Sequence, residues 1–451
     1  MGEIAKLRES IETLTARLSE RDARIAELER LLAESRRSGK RQAAPFSKGA
    51  PSDEPAKPGR RSGESHGRHG HRMAPLGPID RELEAVLPPC CPDCGGEIEL
   101  ERVAEQYEVE LPQMRPVTTR FSVPIGRCRS CRRRVQGRHA EQTSDALGAA
   151  ASGIGPLARS LAHFLHYGLG LSFKKSSALL GRLGVSVTAG ALCQAAQSSS
   201  TALVPVQNSI VAKLNEQRMI VPDETGWRVG GEGAWLWTAA SPVATAYWVA
   251  EGRGYEQACQ VISPEFSGVM VRDGWAPYRR FVNATHQTCL AHLLRRCDEL
   301  LLDLPGYARS TPRIVREILT EALDARDLRP RARRAVVADL AERIELLAEE
   351  PQVHDENRKL VAHLKSERAA LFTFLTHDGI DATNWRAEQA IRPAVVNRKV
   401  WGGNRTWRGA VTQGRMLSVI RTAALQNLDV VEFLVRLARA PDGSSIPSLF
   451  S

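Results

Sequence analysis

The chain has 451 residues, of which 42% are hydrophobic and 25% are charged. This composition is typical of a globular protein of about three domains. The first residues lack the apolar segment of a secretory signal, no apolar run approaches the ~18 residues of a membrane helix, and nine cysteines are too few for a disulfide scaffold. We therefore expect a reduced, cytoplasmic protein without membrane association.

Basic residues outnumber acidic ones, with 62 Lys and Arg against 52 Asp and Glu and a net charge of +10. Much of the excess is concentrated in residues 36–72 and in the run Arg132, Arg133 and Arg134. Concentrated positive charge suits a polyanion, either a nucleic acid or an anionic membrane surface, although many basic tails are only solvated. Charge alone leaves the partner open.

The N-terminal segment follows a heptad pattern, which predicts a coiled coil over residues 1–35. A seam this narrow needs a partner helix, which comes from a second copy in a homo-oligomer or from the same chain. Residues 36–87, rich in Gly, Pro, Ser, Arg and His, are predicted to form a basic disordered linker. Apart from Arg21, the a and d positions are apolar: Ile4, Leu7, Ile11, Leu14, Leu18, Ile25, Leu28 and Leu32.

Two C-x-x-C pairs flank a stretch of alternating polarity that predicts strands around residues 107–111 and 121–125. Four thiolates supplied as two tight pairs match a tetrahedral Zn²⁺ ion with Zn–S distances of ~2.3 Å. We therefore predict a zinc-ribbon-like unit over residues 88–140 that holds a structural zinc ion, with a redox pair or free thiols as the alternatives. The predicted ligands are Cys91, Cys94, Cys128 and Cys131, and Cys90 leaves the register of the first pair open.

Residues 141–215 are predicted to be helical. A helix over residues 172–183 is followed by Gly184, which suits the position after a helix end, and by Thr188, which suits the N-cap of a second helix. Two helices joined by a short glycine-containing turn are compatible with a DNA-binding helix-turn-helix, and also with an ordinary helical hairpin.

After residue 217 the pattern changes to short apolar runs separated by turns and helices, which predicts an α/β region with strands around residues 219–221, 234–239, 245–249 and 269–271. Asp223 and Asp273 each come just after a predicted buried strand, at the edge of the sheet. A single Asp in such a place is more often a turn or capping residue. A third acid on a later helix makes the set more informative: Glu388 follows Asn384 and precedes Arg392 by four residues each, on one helical face.

Between Asp273 and Glu388 lie 114 residues. Apolar side chains recur there at helical spacing over residues 313–375, which predicts helices and fits an all-helical insertion over residues 298–380. The pattern does not indicate what the insertion does.

Several strings in this half of the chain resemble the DDE transposases of the insertion-sequence 66 family, which belong to bacterial mobile elements. The strings are VPDETGW, RDGWAPY, CLAHLLRR, TNWRAEQAIRP and NRKVWGGNRTWRGA. The coiled coil and the paired cysteines are also similar to that family, so the resemblance spans nearly the whole chain. Two details differ, because the family often has Asn-Asn before an Ala-Glu-Arg motif, where this chain has Thr383-Asn384 and Gln389.

The resemblance implies a multidomain chain whose α/β ribonuclease H-like catalytic core is built from residues 216–297 and from the final catalytic helix and C-terminal region in 381–451. It implies that Asp223, Asp273 and Glu388 are an acidic triad that binds two Mg²⁺ or Mn²⁺ ions. Two such ions ~3.5–4 Å apart clamp the attacking and leaving oxygens at phosphorus. The implied activity is strand cleavage and strand transfer on double-stranded DNA at the ends of an insertion sequence. Accessory proteins of the same element are possible partners.

Basic side chains near the third acid are candidates for DNA contact. Trp401 and Trp407, which lie among them, either stack on unpaired bases or pack a helix on the sheet. The alternatives for the whole chain are a catalytically inactive DNA-binding regulator derived from a transposase, a coiled-coil scaffold, and a nuclease that cuts without joining. The candidates are His292, Arg296, Arg392, Arg398, Lys399, Arg405 and Arg408, the first two lying beside the metals or having a structural role.

Overall fold

The computed structural model divides the chain into two compact units, which meet in sequence at residues 113 and 114. The predicted coiled coil and most of the predicted linker lie outside the described residues. No helix in the described parts is long and apolar enough to cross a membrane. The structure describes residues 75, 77–112, 114–148, 151–440 and 447–450.

In the first unit, the described residues form turns and extended segments without a helix or strand. The strand expected around residues 107–111 is therefore not formed, and Tyr107, Val109 and Leu111 are exposed. An alternating sequence becomes a strand only where a neighbouring strand accepts its hydrogen bonds. The one closed turn surrounds the first cysteine pair, where Cys91 N donates to Gly96 O at 2.9 Å.

The second unit begins with a small antiparallel hairpin around the second cysteine pair. Strand β1 (Ile125–Arg127) pairs with β2 (Arg134–Gln136). Between them, Cys128 N donates to Arg133 O at 2.8 Å. The strand expected over residues 121–125 is thus present only at Ile125.

Four helices follow, and they confirm the predicted pair and its turn. Thr188 is the N-cap as predicted and accepts from Ala191 N at 3.1 Å, and Ser172 caps the preceding helix by accepting from Lys175 N at 3.3 Å. Gly184 has a φ of +83°, a left-handed conformation that favours glycine. The helices are α1 (Pro156–His163, continued by a π-helix over Phe164–Gly168), α2 (Phe173–Arg182), α3 (Ala189–Ala202) and α4 (Val204–Asn215).

A mixed five-stranded sheet is the centre of the second unit, with the strand order β5-β4-β3-β6-β7. The first three strands are antiparallel, whereas β3, β6 and β7 are parallel. This arrangement is compatible with the expected ribonuclease H-like core. The strands are β3 (Met219–Val229), β4 (Glu232–Ala240), β5 (Thr245–Ala250), β6 (Val269–Arg272) and β7 (Thr285–Thr288).

Strand β7 has no apolar alternation in its sequence, Thr-His-Gln-Thr, and is the one strand of this sheet that the sequence did not indicate. The turn between β3 and β4 consists of Gly230 and Gly231, which both have positive φ values, +63° and +93°. A two-residue hairpin turn of this type requires that conformation at both positions.

The two faces of the sheet carry different helices because neighbouring side chains of a strand point to opposite sides. Ile220 and Met270 pack against α4 and against two C-terminal helices, α12 (Trp407–Leu425) and α13 (Val430–Arg439). Val221 and Val271 face the predicted insertion. The short helix α5 (Tyr255–Ala258) follows β5 in the chain, and its Ala258 is buried in the same cluster as Ile220 and Met270.

The insertion is all-helical, as predicted, and it shares one apolar core with the sheet. Leu293, Ile318 and Leu360 are buried in the same cluster as Val221 and Val271. After it, helix α11 (Trp385–Trp401) packs on β3 and β4, and Tyr247 Oη donates to Ala390 O at 2.6 Å. The helices before α11 are α6 (Leu290–Asp303), α7 (Ser310–Asp324), α8 (Pro330–Glu349), α9 (Asp355–Glu367) and α10 (Thr373–Thr376).

A buried ionic cluster joins the insertion to the end of β6. The side chain of Glu367, at the end of α9, is 0% exposed and lies 2.6 Å from both Arg272 Nη1 and Arg279 Nη2. Thr288 also donates its hydroxyl to this carboxylate. Burial alone would raise the pKa of Glu367, but Arg272, with the hydrogen bonds from Thr288 and the two arginines, lowers it below its usual value. The cluster therefore keeps Glu367 ionised inside the protein.

We expect Glu367→Gln to lower the free energy of unfolding by about 3–5 kcal/mol, because it leaves the buried guanidinium of Arg272 without its counter-charge. Chemical denaturation followed by circular dichroism measures the change. Glu345→Gln is the control, since it breaks the exposed pair between Glu345 and Arg368 (3.5 Å) and should cost less than about 1 kcal/mol. Equal losses in the two variants would contradict this account.

Candidate active site

Asp223 lies inside β3 and not after its end, which corrects the prediction. The strand continues to Val229 because it pairs with β4 along this length, with Asp223 opposite Thr238. On its other side β3 pairs with β6 only at Met219 and Ile220. Beyond Ile220 that side of β3 is released from the parallel pairing, and there Asp223 and the end of β6 come close.

Asp273 directly follows β6, as predicted, and is fixed by the loop after it. Trp275 N donates to Asp273 Oδ1 at 3.0 Å. Gly274 packs against the insertion, where a Cβ atom would lie 2.4 Å from Cε1 of His363. The insertion is therefore in close contact with Gly274, the residue that follows Asp273.

Glu388 lies in the first turn of α11, where its side chain is partly exposed. Asn384 is the residue before the helix, and it is buried, so it does not share a helical face with Glu388 and Arg392 as predicted. Cys289 Sγ donates to Asn384 Oδ1 at 3.1 Å, and Asn384 N donates to Cys289 Sγ at 3.3 Å. This contact ties the start of α11 to the start of α6.

Asp273 and Glu388 lie close enough to Asp223 to act on its pKa. Loss of hydration and the neighbouring charge of Glu224 raise the pKa of Asp223 to about 8, and repulsion from Asp273 and Glu388 adds to the rise. The hydrogen bond from Glu224 N acts in the opposite direction. Like charges gathered in this way favour a compensating cation.

Carboxylate oxygens are the ligands that Mg²⁺ and Mn²⁺ prefer, and their mutual repulsion is relieved when such an ion binds. Asp223, Asp273 and Glu388 therefore fit divalent cations by donor chemistry and charge. In the described part of the chain, no group of three or more His, Cys, Asp or Glu side chains lies close enough to share one ion. The carboxylates converge without meeting at a common point.

The predicted DNA-contact residues divide into two places. His292 on α6 has its Nε2 atom 3.9 Å from Glu388 Oε1, and Arg296 lies one helical turn further along. On α11, Arg392 and Lys399 are exposed, whereas Arg398 is partly buried and burial lowers its pKa.

The two tryptophans differ in their surroundings. The ring centroid of Trp401 lies 4.9 Å from that of His166, in a stacked arrangement, and 6.2 Å from that of Trp227, which fits the packing alternative. Trp407 is exposed at the start of α12, as are Arg405 and Arg408 nearby.

Sequence reasoning missed three residues beside the acids. Glu224 is buried next to Asp223, and its carboxylate accepts hydrogen bonds from Arg253 and Tyr278. The alternation of β3 gave a signal for Glu224, because a strand residue next to Asp223 must point to the opposite face. Arg253 and Tyr278 had no sequence signal, since the turns that bring them to Glu224 belong to the tertiary fold.

The two cysteine pairs have similar local geometry. Hydrogen bonds from the backbone of Cys94 and Asp93 lower the pKa of Cys91, and those from the backbone of Cys131 and Ser130 lower the pKa of Cys128. Amides directed at a sulfur atom stabilise its thiolate, which is the form that binds metal.

A model of the family described as Transposase IS66 family matches residues 153–412, more than half of the chain. The chain belongs to this family of DDE transposases. No curated protein matches the chain. The part shared with the family contains all three acids, the insertion and every basic candidate for DNA contact. Both cysteine pairs lie before it.

The raised pKa of Asp223 gives a prediction for stability. Its usual pKa is ~3.9 in the unfolded chain. The folded value is about 8, so between these two values the folded protein binds a proton that the unfolded chain has released. The free energy of unfolding therefore falls as the pH rises through this range. We expect Asp223→Asn in EDTA to be more stable than the wild type near pH 8, with a difference that shrinks as the pH falls.

Denaturation series at several pH values, with and without Mg²⁺, measure this difference. Mg²⁺ should stabilise the wild type more than the variant. Asp298→Asn, in an exposed pair with Arg316, is the control and should show no such trend. A difference independent of pH would show that Asp223 is not under this electrostatic pressure.

Proposed function

We propose that this chain is an active transposase that cuts DNA strands at the ends of an insertion sequence and joins them to target DNA. The observation that carries the proposal is the convergence of Asp223, Asp273 and Glu388 from two strands and a helix, with electrostatic repulsion between them. Family membership supports the same reaction class.

In this proposal the three carboxylates hold two Mg²⁺ or Mn²⁺ ions, which would activate the attacking oxygen and stabilise the leaving oxygen at phosphorus. In the first step water attacks, a new P–O bond forms, and the bond to the 3′-oxygen breaks. In the second step the released 3′-hydroxyl attacks the target strand in the same way. The chain's own contribution would be to hold the cations that keep both oxygens in line, while solvent takes the proton of the attacking oxygen and returns one to the leaving oxygen.

DNA contact is proposed for the basic side chains around α11. Arg392, Lys399, Arg405 and Arg408 are exposed and suit the phosphate backbone. His292, on the neighbouring α6, lies beside Glu388, and Arg296 is a further candidate one helical turn along the same helix. Arg398 suits this role less well because it is partly buried.

The predicted helix-turn-helix has a weaker case as a reader of DNA. The second helix, α3, contains neither Lys nor Arg, whereas Lys174 and Lys175 are exposed on α2. Any phosphate contact of this pair would therefore come from α2. We retain it, together with a homo-oligomer formed through the coiled coil and accessory proteins of the element, as part of the proposal.

We also propose a structural Zn²⁺ ion held by Cys91, Cys94, Cys128 and Cys131. The support is chemical: both pairs have the C-x-x-C spacing, and in both the backbone lowers the pKa of the first thiol. Four thiolates form a closed tetrahedral site, which stabilises a fold and leaves no position for catalysis.

The triad is tested by Asp223→Asn, Asp273→Asn and Glu388→Gln. Each should abolish metal-dependent cleavage of a labelled duplex that carries the element's ends, while DNA binding persists, because the fold does not require these charges. Glu321→Gln, in an exposed pair with Arg343, is the matched control and should cleave like the wild type.

The products of the wild type separate the alternatives. Joined strands indicate a transposase, and nicks without joining indicate a nuclease. Specific binding without cleavage, with the neighbouring proteins of the element added, would support the inactive regulator. Normal cleavage by any of the three variants would remove that residue from the triad.

Zinc is tested by metal analysis of the purified protein. We expect one Zn²⁺ per chain, and less in Cys94→Ser and Cys131→Ser, because three thiolates hold the ion less tightly than four. Cys259→Ser is the control, since Cys259 belongs to neither pair. The same zinc content in all variants would show that the pairs are not the ligands.

A further inference from the structure

A fourth carboxylate, that of Glu224, stands beside the triad without a part in the proposed reaction. Its side chain is 1% exposed. It lies on the face of β3 opposite to Asp223, because adjacent strand residues alternate. There Arg253 Nε donates to Glu224 Oε1 at 2.5 Å, and Tyr278 donates its hydroxyl to the other oxygen.

Arg253 extends from this carboxylate to the second acid of the triad. Its Nη2 atom lies 4.0 Å from Asp273 Oδ2. Its guanidinium lies over two indole rings, 4.0 Å from the centroid of Trp275 and 4.9 Å from that of Trp235. The indole of Trp275 also donates to Arg253 O at 3.1 Å. The guanidinium is therefore fixed by an ion pair, two rings and its own backbone.

These contacts link Asp273, Trp275 and Arg253 in a ring of three mutual contacts. Trp275 N holds Asp273 Oδ1, the ring of Trp275 stacks on Arg253, and Arg253 faces Asp273 Oδ2. One oxygen of this carboxylate accepts a hydrogen bond and the other faces a guanidinium at an ion-pair distance of 4.0 Å, so both contacts oppose its rotation. Mg²⁺ demands near-ideal octahedral geometry, so a ligand that is held in rotation binds it better than one that is free to turn.

We propose that Arg253, anchored by Glu224, is a positioning residue that orients the carboxylate of Asp273 for metal binding. The proposal rests on the proposed function, because it assigns Asp273 as a metal ligand. A simpler role would be mutual neutralisation, in which Arg253 and Glu224 only compensate each other's buried charge. The two roles differ in what happens when both charges are removed together.

The first test is Arg253→Lys. Lysine keeps the charge, but it has neither the planar fork that contacts two carboxylates nor the flat surface that stacks on indoles. Loss of a residue that orients a ligand typically costs ~10–100-fold in metal affinity or activity. We expect losses of this size in Mn²⁺ binding, followed by the electron paramagnetic resonance signal of free Mn²⁺, and in the cleavage rate.

The matched control is Arg280→Lys. Arg280 also stacks on an aromatic ring, that of Tyr255 at 4.1 Å, and pairs with a carboxylate, that of Glu256 at 2.8 Å. It is 60% exposed, so its replacement should leave both readouts unchanged. Thermal unfolding of each variant separates a local effect from loss of the fold.

The second test is the double variant Glu224→Gln with Arg253→Met, which removes the buried charge of Glu224 together with the partly exposed charge of Arg253 and so leaves neither unpaired. If the pair only neutralises itself, this variant recovers wild-type Mn²⁺ binding. If Arg253 orients Asp273, the variant stays as defective as Arg253→Lys although it is folded.

Wild-type Mn²⁺ binding and cleavage in Arg253→Lys, or recovery in the double variant, would overturn the positioning role. If either result is found while Glu388→Gln is inactive, only the positioning role is rejected and the proposed function stands. Conversely, normal cleavage by Glu388→Gln contradicts the proposed function, while Mn²⁺ binding still decides the role of Arg253. A wild type that binds no Mn²⁺ rejects both.

Discussion

The change of pairing along β3 is the constraint on which the site depends. At Met219 and Ile220 the strand pairs with β6, and from Val221 onward it pairs in antiparallel fashion with β4. Antiparallel pairing with β4 holds the strand in place at Asp223, which lies opposite Thr238. Because β6 ends at Arg272, Asp273 comes to the free side of the strand, and α11 brings Glu388 to the same face.

Charge compensation is the second requirement of this arrangement, because Asp223 and Asp273 lie near the buried carboxylate of Glu224. Arg253 compensates Glu224 on one face of the sheet, and Arg272 compensates Glu367 at the end of β6. Both arginines are neighbours of Asp273: Arg253 lies 4.0 Å from its carboxylate, and Arg272 precedes it in the chain. The protein thus neutralises the surrounding acids and leaves the repulsion within the triad for a bound cation to relieve.

The helical insertion takes part in the site through packing. Its apolar side chains share a core with β3 and β6. Glu367 forms an ion pair with Arg272, and His363 packs on Gly274. These contacts converge on the residues immediately before and after Asp273. An insertion anchored in this way is a support for the second acid, so a change in its packing would move a catalytic group as well as a remote helix.

Local patterns in the sequence determined the two helices on either side of Gly184 with the N-cap at Thr188, the helical character of the insertion, four of the five strands of the sheet, and the positions of the three acids, because periodicity and turn chemistry act over a few residues. The family followed from the order of the motifs. Tertiary structure alone decided the length of β3, the formation of β7, the burial of Asn384, and the meeting of Arg253 with Glu224. These features depend on partners distant in the chain, and a sequence pattern contains no information about which distant segment supplies the next hydrogen bond or counter-charge.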